Sequence, residues 1–186
     1  MRTTITEALA MLHVTDKKIA KRREEILKYA CRVTDLMDPI KSDGGSQVYV
    51  EKMYQSVEDL LNRMLDIKRA IRKANEGTEL TVGKHTLSVA DWLEWRRTLS
   101  VQIGRHNAQV ASTIQNLRDH TGKMKREASA DSPNVNLDVM VNLNEEELAR
   151  AAEEHEVILA ELDGKLSLLN ATTYVEMDDI DADREE

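Results

Sequence analysis

The segment Val48–Gly77, VYVEKMYQSVEDLLNRMLDIKRAIRKANEG, decides the fold class. Its apolar positions are Val50, Met53, Val57, Leu60, Met64, Ile67, Ile71 and Ala74. Steps of three and four alternate without a slip, which is the seam of a helix packed against another helix. The spacing predicts a helix over about 48–74, with Gly77 of Asn75-Glu76-Gly77 as its stop. Upstream, Ile5, Leu12, Ile19, Ile26 and Val33 recur every seven residues, and Thr4 with Glu7 reads as a capping box, so a first helix is expected over about 4–36. Between the two lie Asp38-Pro39 and Ser42-Asp43-Gly44-Gly45-Ser46, strong breakers. Residues 3–78 therefore read as one helical hairpin.

Downstream, residues 78–87 read as a small β-hairpin linker. Ser88 with Asp91 then opens a third helix that would run to Arg126, close to 60 Å at ~1.5 Å per residue. Val135, Leu137, Val139, Val141 and Leu143 alternate with Asn, Asp or Met, the period of a strand over 135–143 that could extend the 78–87 hairpin into a small sheet. Asn144 with Glu147 caps a fourth helix, whose stripe is Leu148, Ala152, His155, Leu159, Leu162, Leu166 and Leu169. The second and fourth helices end alike. Ile67, Ile71, Asn75, Thr78 and Leu162, Leu166, Asn170, Thr173 share one spacing. The expected fold is mainly α: two duplicated long helical hairpins, 3–78 and 88–174, with a small β element. Such hairpins bury their seams as a four-helix bundle or between chains of an intertwined oligomer.

Composition narrows the function. Among 186 residues there is no Phe and there are six aromatics, two Pro and seven Gly, which argues against a β-sandwich or barrel. No apolar run approaches the ~18 residues of a membrane span, and the N-terminus has no signal-peptide core. Cys31 is the one cysteine, so no intrachain disulfide can form and a reducing cytoplasm is the expected setting. The net charge of −8 is uneven: residues 138–186 hold 16 acids and three bases, and the rest of the chain is positive. Residues 175–186 read as a disordered acidic tail. Nucleic acid is a poor partner for this chain, since aromatics are few and the tail repels phosphate. The stripes suit partner helices better than a membrane surface.

The stretch Tyr54-Gln55-Ser56-x-x-Asp59-Leu60-Leu61-x-Arg63, followed by Ile67-Lys68-x-Ala70-Ile71-x-Lys73-Ala74-Asn75 and Thr78, resembles an uncharacterised family of small α-helical proteins from phages and prophages. Thr6-Glu7-Ala8-Leu9, Asp16-Lys17-Lys18-Ile19 and Asn170-Ala171-Thr172-Thr173 fit the same pattern. The resemblance spans most of the chain. It implies a phage origin and a role in the host cytoplasm, and it brings no assigned activity and no catalytic residue.

Catalytic and metal motifs are missing from the sequence. There is no nucleophile elbow and no cysteine cluster, and none of the five His forms a His-x3-His pair. Gly77–Lys84 is one residue too long for a phosphate loop and lacks the Ser or Thr that would hold magnesium. No cofactor and no metal are expected, and the protein is not expected to be an enzyme. The informative stripe is that of the third helix: Val89, Trp92, Arg96, Leu99, Ile103, His106, Val110, Thr113, Leu117, His120 and Met124. It places Arg96, His106 and His120 where burial is expected, and a buried cation needs a partner. One partner would be a carboxylate of the bundle, with the polar groups fixing register. Another would be an anionic, nucleotide-like ligand. Trp92 and Trp95 flank Arg96 and Arg97, Gly104 sits beside Arg105-His106 where the backbone could be approached closely, and the end of the second helix is basic. The ligand-binding candidates are Arg96, Trp92, Arg97, His106, Arg105, Arg72, Asn75 and Lys73. Two functions follow. One is a homo-oligomeric phage-type protein that sequesters an anionic small molecule such as a host immune signal. The other is a structural or interaction protein that assembles virion parts or docks on a host protein.

Overall fold

A computed structural model describes residues 2–33, 36–41, 44–128 and 138–177. The order is β1 (Arg2–Thr4), α1 (Ile5–Tyr29), α2 (Gly45–Gly77), β2 (Glu79–Val82), β3 (His85–Ser88), α3 (Val89–Arg97), α4 (Leu99–Ala128), α5 (Glu145–Thr172) and β4 (Tyr174–Glu176). The protein is mainly helical, and the described residues form two small two-stranded sheets, β1–β4 and β2–β3. The chain divides into two compact units, Met1–Thr78 with Ser167–Glu186, and Glu79–Leu166. The division falls inside α5.

In the first unit the expected capping box is present. The Glu7 amide donates to the Thr4 hydroxyl at 3.2 Å, and the Thr4 amide donates to the Glu7 carboxylate at 2.8 Å. That amide bond, followed by the Thr3 and Thr4 hydroxyls, holds the Glu7 carboxyl below the usual carboxylate range. Ile5, Ala8, Ile19 and Ile26 of α1 are buried. Together Ile5, Ala8, Ile67 and Val175 form the core, with Met11, Leu12, Ile71 and Leu169 packed around them.

Val33 lies outside α1 and is exposed, although the heptad includes it. The reason is the length of the partner helix. Tyr29 already meets Tyr49 edge to face at 5.5 Å, one turn from the start of α2, so further turns of α1 would have almost nothing to pack against. Gly44 and Gly45, with φ of 92° and 90°, make the entry to α2 that a side chain would resist. Asp38 closes this loop by accepting from the Ile40 amide, the Ser46 amide and the Ser46 hydroxyl at 2.6–3.0 Å. The Ser46 hydroxyl first, then the two amides, lower its carboxyl to about 2.

The helix α2 runs through Gly77 and stops because Thr78 is extended, with φ −108° and ψ 122°. The helix ends at Gly77 as expected, and it does so without a left-handed residue, since among the described residues only Gly44, Gly45 and Gly83 have positive φ. The pairing of β1 with β4 has no counterpart in the sequence reading. Thr3 faces Val175, and the Ile5 amide reaches Thr173 O at 3.0 Å. Strands of three residues are too short to show a period. The expected tail segment thus includes a paired strand at its start; residues 178–186 lie outside the described residues.

In the second unit, β2 and β3 form the expected hairpin, Leu80 opposite Leu87, turning at Gly83 with φ 57°. The Gly83 amide donates to the Glu161 carboxylate at 3.1 Å. Lys165 joins that carboxylate and Thr81 O, each at 2.6 Å. Lys165 first, then the Gly83 amide, keeps the Glu161 carboxyl below its usual range. The segment that superficially matched a phosphate loop therefore has its turn amide bound to a carboxylate of α5. Asn144 caps α5 as expected, accepting from the Glu146 and Glu147 amides.

Two expectations are corrected here. First, the long third helix is two helices. At Thr98, with φ −112° and ψ −66°, both the amide and the hydroxyl bond to Glu94 O, at 3.0 and 2.7 Å. A side-chain hydroxyl on the i−4 carbonyl is a known cause of helix bending. Second, of the strand expected over 135–143, residues 135–137 lie outside the described residues and residues 138–143 are not a strand.

Candidate functional site

Past the break at Thr98 the buried face of α4 is rotated relative to α3. Ser100 and Thr121 are buried, and Gly104, Asn107 and Ile114 are half-buried. Ser100, Asn107, Ile114 and Thr121 are seven residues apart, a heptad one position off the predicted stripe. This face and α5 enclose a groove of about 460 Å³. Gly104, Ala108, Ala111 and Ile114 form its α4 wall, and Leu148, Ala149 and Ala152 form its α5 wall. The small side chains leave the space open. Arg118 of α4 and Glu145 of α5 pair at one end. Asn107, Gln115, Glu156 and His155 complete the polar rim.

At the other end His155 shares a 2.9 Å hydrogen bond with Ser100 and stacks at a tilt against Trp95, ring centroids 5.8 Å apart. A hydroxyl on an imidazole is the first half of a nucleophile–base pair. Here Ser100 is shut away from solvent, and no described residue accepts from the second ring nitrogen of His155. Among the described residues the pair has no third group to orient it for acyl transfer, and the bond links α4 to α5. Gly104 lies next to it: a Cβ there would stand 3.6 Å from His155 Cε1. The close neighbour expected at this glycine exists, and it is an imidazole of α5.

The predicted ligand residues are placed differently from expectation. Trp92 is buried, its indole N–H donating to Leu80 O at 2.8 Å and its ring edge-on to Trp95, so it anchors α3 to the β-hairpin and offers no free face. Arg96 is half exposed, not buried, and pairs with Asp163 of α5 at 3.1 Å. Arg97 is exposed and pairs with Glu94. Arg105, His106 and His120 are exposed. Arg96 and Arg97 precede the break at Thr98, and Arg105, His106 and His120 follow it at positions one or two places off the buried heptad of α4. Arg72 pairs with Glu76 at 2.7 Å. Lys73 lines a separate cleft of about 320 Å³ with Thr173 to Glu176. Asn75 is half-buried, and its Oδ1 is buried without a hydrogen-bond partner among the described residues. Three of the eight candidates thus belong to the first unit and five to the second, and no unit gathers them into one anion site.

Sequence reading missed Arg118, Asn107 and Ser100. The signal for them was the second heptad, Ser100-Asn107-Ile114-Thr121, masked by the more apolar stripe beside it. Within α4, Leu99, Ile103, Leu117 and Met124 of that stripe are exposed and Val110 is half-buried. Leu99 is 57% exposed, Ile103 40%, Leu117 50% and Met124 36%. Among the described residues no cluster of three metal-ligating side chains occurs, and no helix is long and apolar enough to cross a membrane.

No family model matches the chain, and no curated protein matches it. A solved structure, described as a functionally unknown conserved protein from Corynebacterium diphtheriae, is similar over 95% of this chain and 100% of its own, with a TM-score of 0.60 at 18% identity. At that identity the likeness concerns the fold.

Proposed function

We propose that the protein is a non-enzymatic interaction protein that works as a homo-oligomer through α4. The observation that carries this reading is the exposed stripe Leu99, Ile103, Leu117 and Met124, in register with His106, Val110, Thr113 and His120. A stripe with three-four spacing is matched to another helix, and leaving it in water forfeits ~25 cal/mol for each Å² of apolar area. The α4–α5 groove then remains open as the docking point for a target. Native mass spectrometry of protein purified from cells tests this: an oligomer without extra mass supports it, and a monomer refutes it.

A second reading, sequestration of an anionic small molecule, has one observation in its favour. A groove of about 460 Å³ falls within the ~300–1,000 Å³ of small-molecule sites, and Arg118 stands at its end. In that reading Arg118, rather than Arg96 or Arg97, contacts the ligand, and the phage setting suggested by the family resemblance supplies a host immune signal as its class. An extra mass retained per subunit, or heat on titration with nucleotide second messengers, would favour it. The descent of the two hairpins from one duplicated ancestor belongs with these proposals.

A further inference from the structure

The cleft that holds Lys73 has an unpaired strand edge as one wall. In its sheet β4 pairs with β1, Thr3 opposite Val175. Nearby, the Ile5 amide donates to the Thr173 carbonyl opposite it at 3.0 Å. Bonded and unbonded pairs alternate in an antiparallel ladder, so Thr3 and Val175 are the next bonded pair. The backbone amides and carbonyls of Tyr174 and Glu176 therefore point away from β1, and no described residue bonds to them there. Thr173, Tyr174, Val175 and Glu176 all line the cleft of about 320 Å³, and no residue of β1 lines it. Side chains alternate between the two faces of a strand, so four successive residues share one space along the edge.

The other wall is the end of α2, which presents Ala70, Lys73, Ala74 and Gly77. These are small apart from Lys73, and a Cβ at Gly77 would meet nothing within 4 Å. Arg69 and Arg72 on the same turns are paired with Asp66 and Glu76. Lys73 and Glu176, the charged residues of the lining, are exposed and pair with no described residue. We propose that the cleft takes an extended segment of a partner protein as an added strand on β4. The segment's backbone bonds to Tyr174 and Glu176, and its alternate side chains enter the cleft. It carries an acidic residue for Lys73 and a basic one for Glu176. All of these residues belong to the first unit, so the site does not rest on the α4 stripe.

The test selects random peptides displayed on phage against the immobilised full chain and measures the enriched ones by fluorescence anisotropy. The enriched peptides are expected to share one acidic and one basic residue. N-methylation of one alternate set of peptide amides should abolish binding and that of the other set leave it intact, because an added strand turns only one set toward β4. Lys73→Glu should weaken binding about tenfold or more and remove the preference for the acid. Gly77→Leu fills open space on a helix, where leucine is favoured over glycine, so that variant should fold and bind about tenfold more weakly or worse. Circular dichroism of both variants is expected to match the wild type. No peptide enriched above the bare support would overturn the proposal. Equal effects of the two N-methyl sets would overturn strand addition, and affinity that survives Lys73→Glu and Gly77→Leu would overturn this cleft as the site.

Discussion

Replacing Gly104 with alanine is predicted to stabilise the protein, against the usual direction of a change at a close-packed glycine. Gly104 lies within α4 at negative φ, so alanine adopts its backbone without strain. A helix-interior glycine is worth ~1 kcal/mol less than alanine. The added Cβ would stand 3.6 Å from His155 Cε1, ordinary van der Waals contact, and partial burial of one methyl adds at most ~0.8 kcal/mol. The expected gain is ~1–1.5 kcal/mol, a rise in Tm of roughly 2–6 °C for a chain of this size. Two other glycines calibrate it. Gly122 is helical, and a Cβ there would meet nothing within 4 Å, so Gly122→Ala should show the propensity gain alone. Gly83 has φ of 57°, where alanine is strained by ~1–2 kcal/mol, so Gly83→Ala should lower the Tm. Thermal melts followed by far-ultraviolet circular dichroism measure all three. A fall in Tm for Gly104→Ala beside a rise for Gly122→Ala would refute the reasoning, since the α4–α5 spacing at His155 would then be tighter than 3.6 Å.

Ile67→Ala should cost ~2–5 kcal/mol in urea unfolding, because Ile67 is buried in the core with Ile5, Ala8 and Val175; a loss below about 1 kcal/mol would mean that this core is not formed. Asn75→Leu should be neutral or stabilising by ~1 kcal/mol, because it removes an unpartnered buried oxygen, and a clear loss of stability would show that Oδ1 has a partner. Asp38 has its carboxyl lowered to about 2 from 3.8, so its charge contributes stability above the unfolded value and loses that contribution as pH falls through about 2. The gap in urea midpoint between the wild type and Asp38→Asn should therefore be full above about pH 4 and close toward pH 2; a gap that does not change with pH contradicts this.

Much of the helical architecture was legible because long amphipathic helices repeat their signal many times. The seam from Val50 to Ala74, the box of Thr4 and Glu7, the cap at Asn144 and the hairpin at Gly83 each follow from residue type and spacing. What could not be read had a local cause. The three-residue strands β1 and β4 carry no period, and they pair across nearly the whole length of the chain. Thr98 looks like any helical threonine, yet α3 ends before it and α4 begins after it. Arg96 is half exposed before that break, and His106 and His120 after it sit one place off the buried heptad. The ligand candidates are spread over α2, α3 and α4, and none of them lines the α4–α5 groove.

We propose that α4 joins two copies through its exposed stripe. The most direct measurement is multi-angle light scattering over a dilution series of the full chain and of the double variant Ile103→Asp, Leu117→Asp. The wild type is expected to have at least twice the chain mass of 21.1 kDa, and the variant to be a folded monomer with an unchanged helical spectrum. A wild type that is monomeric throughout the series, or a variant that keeps the oligomer, would contradict it.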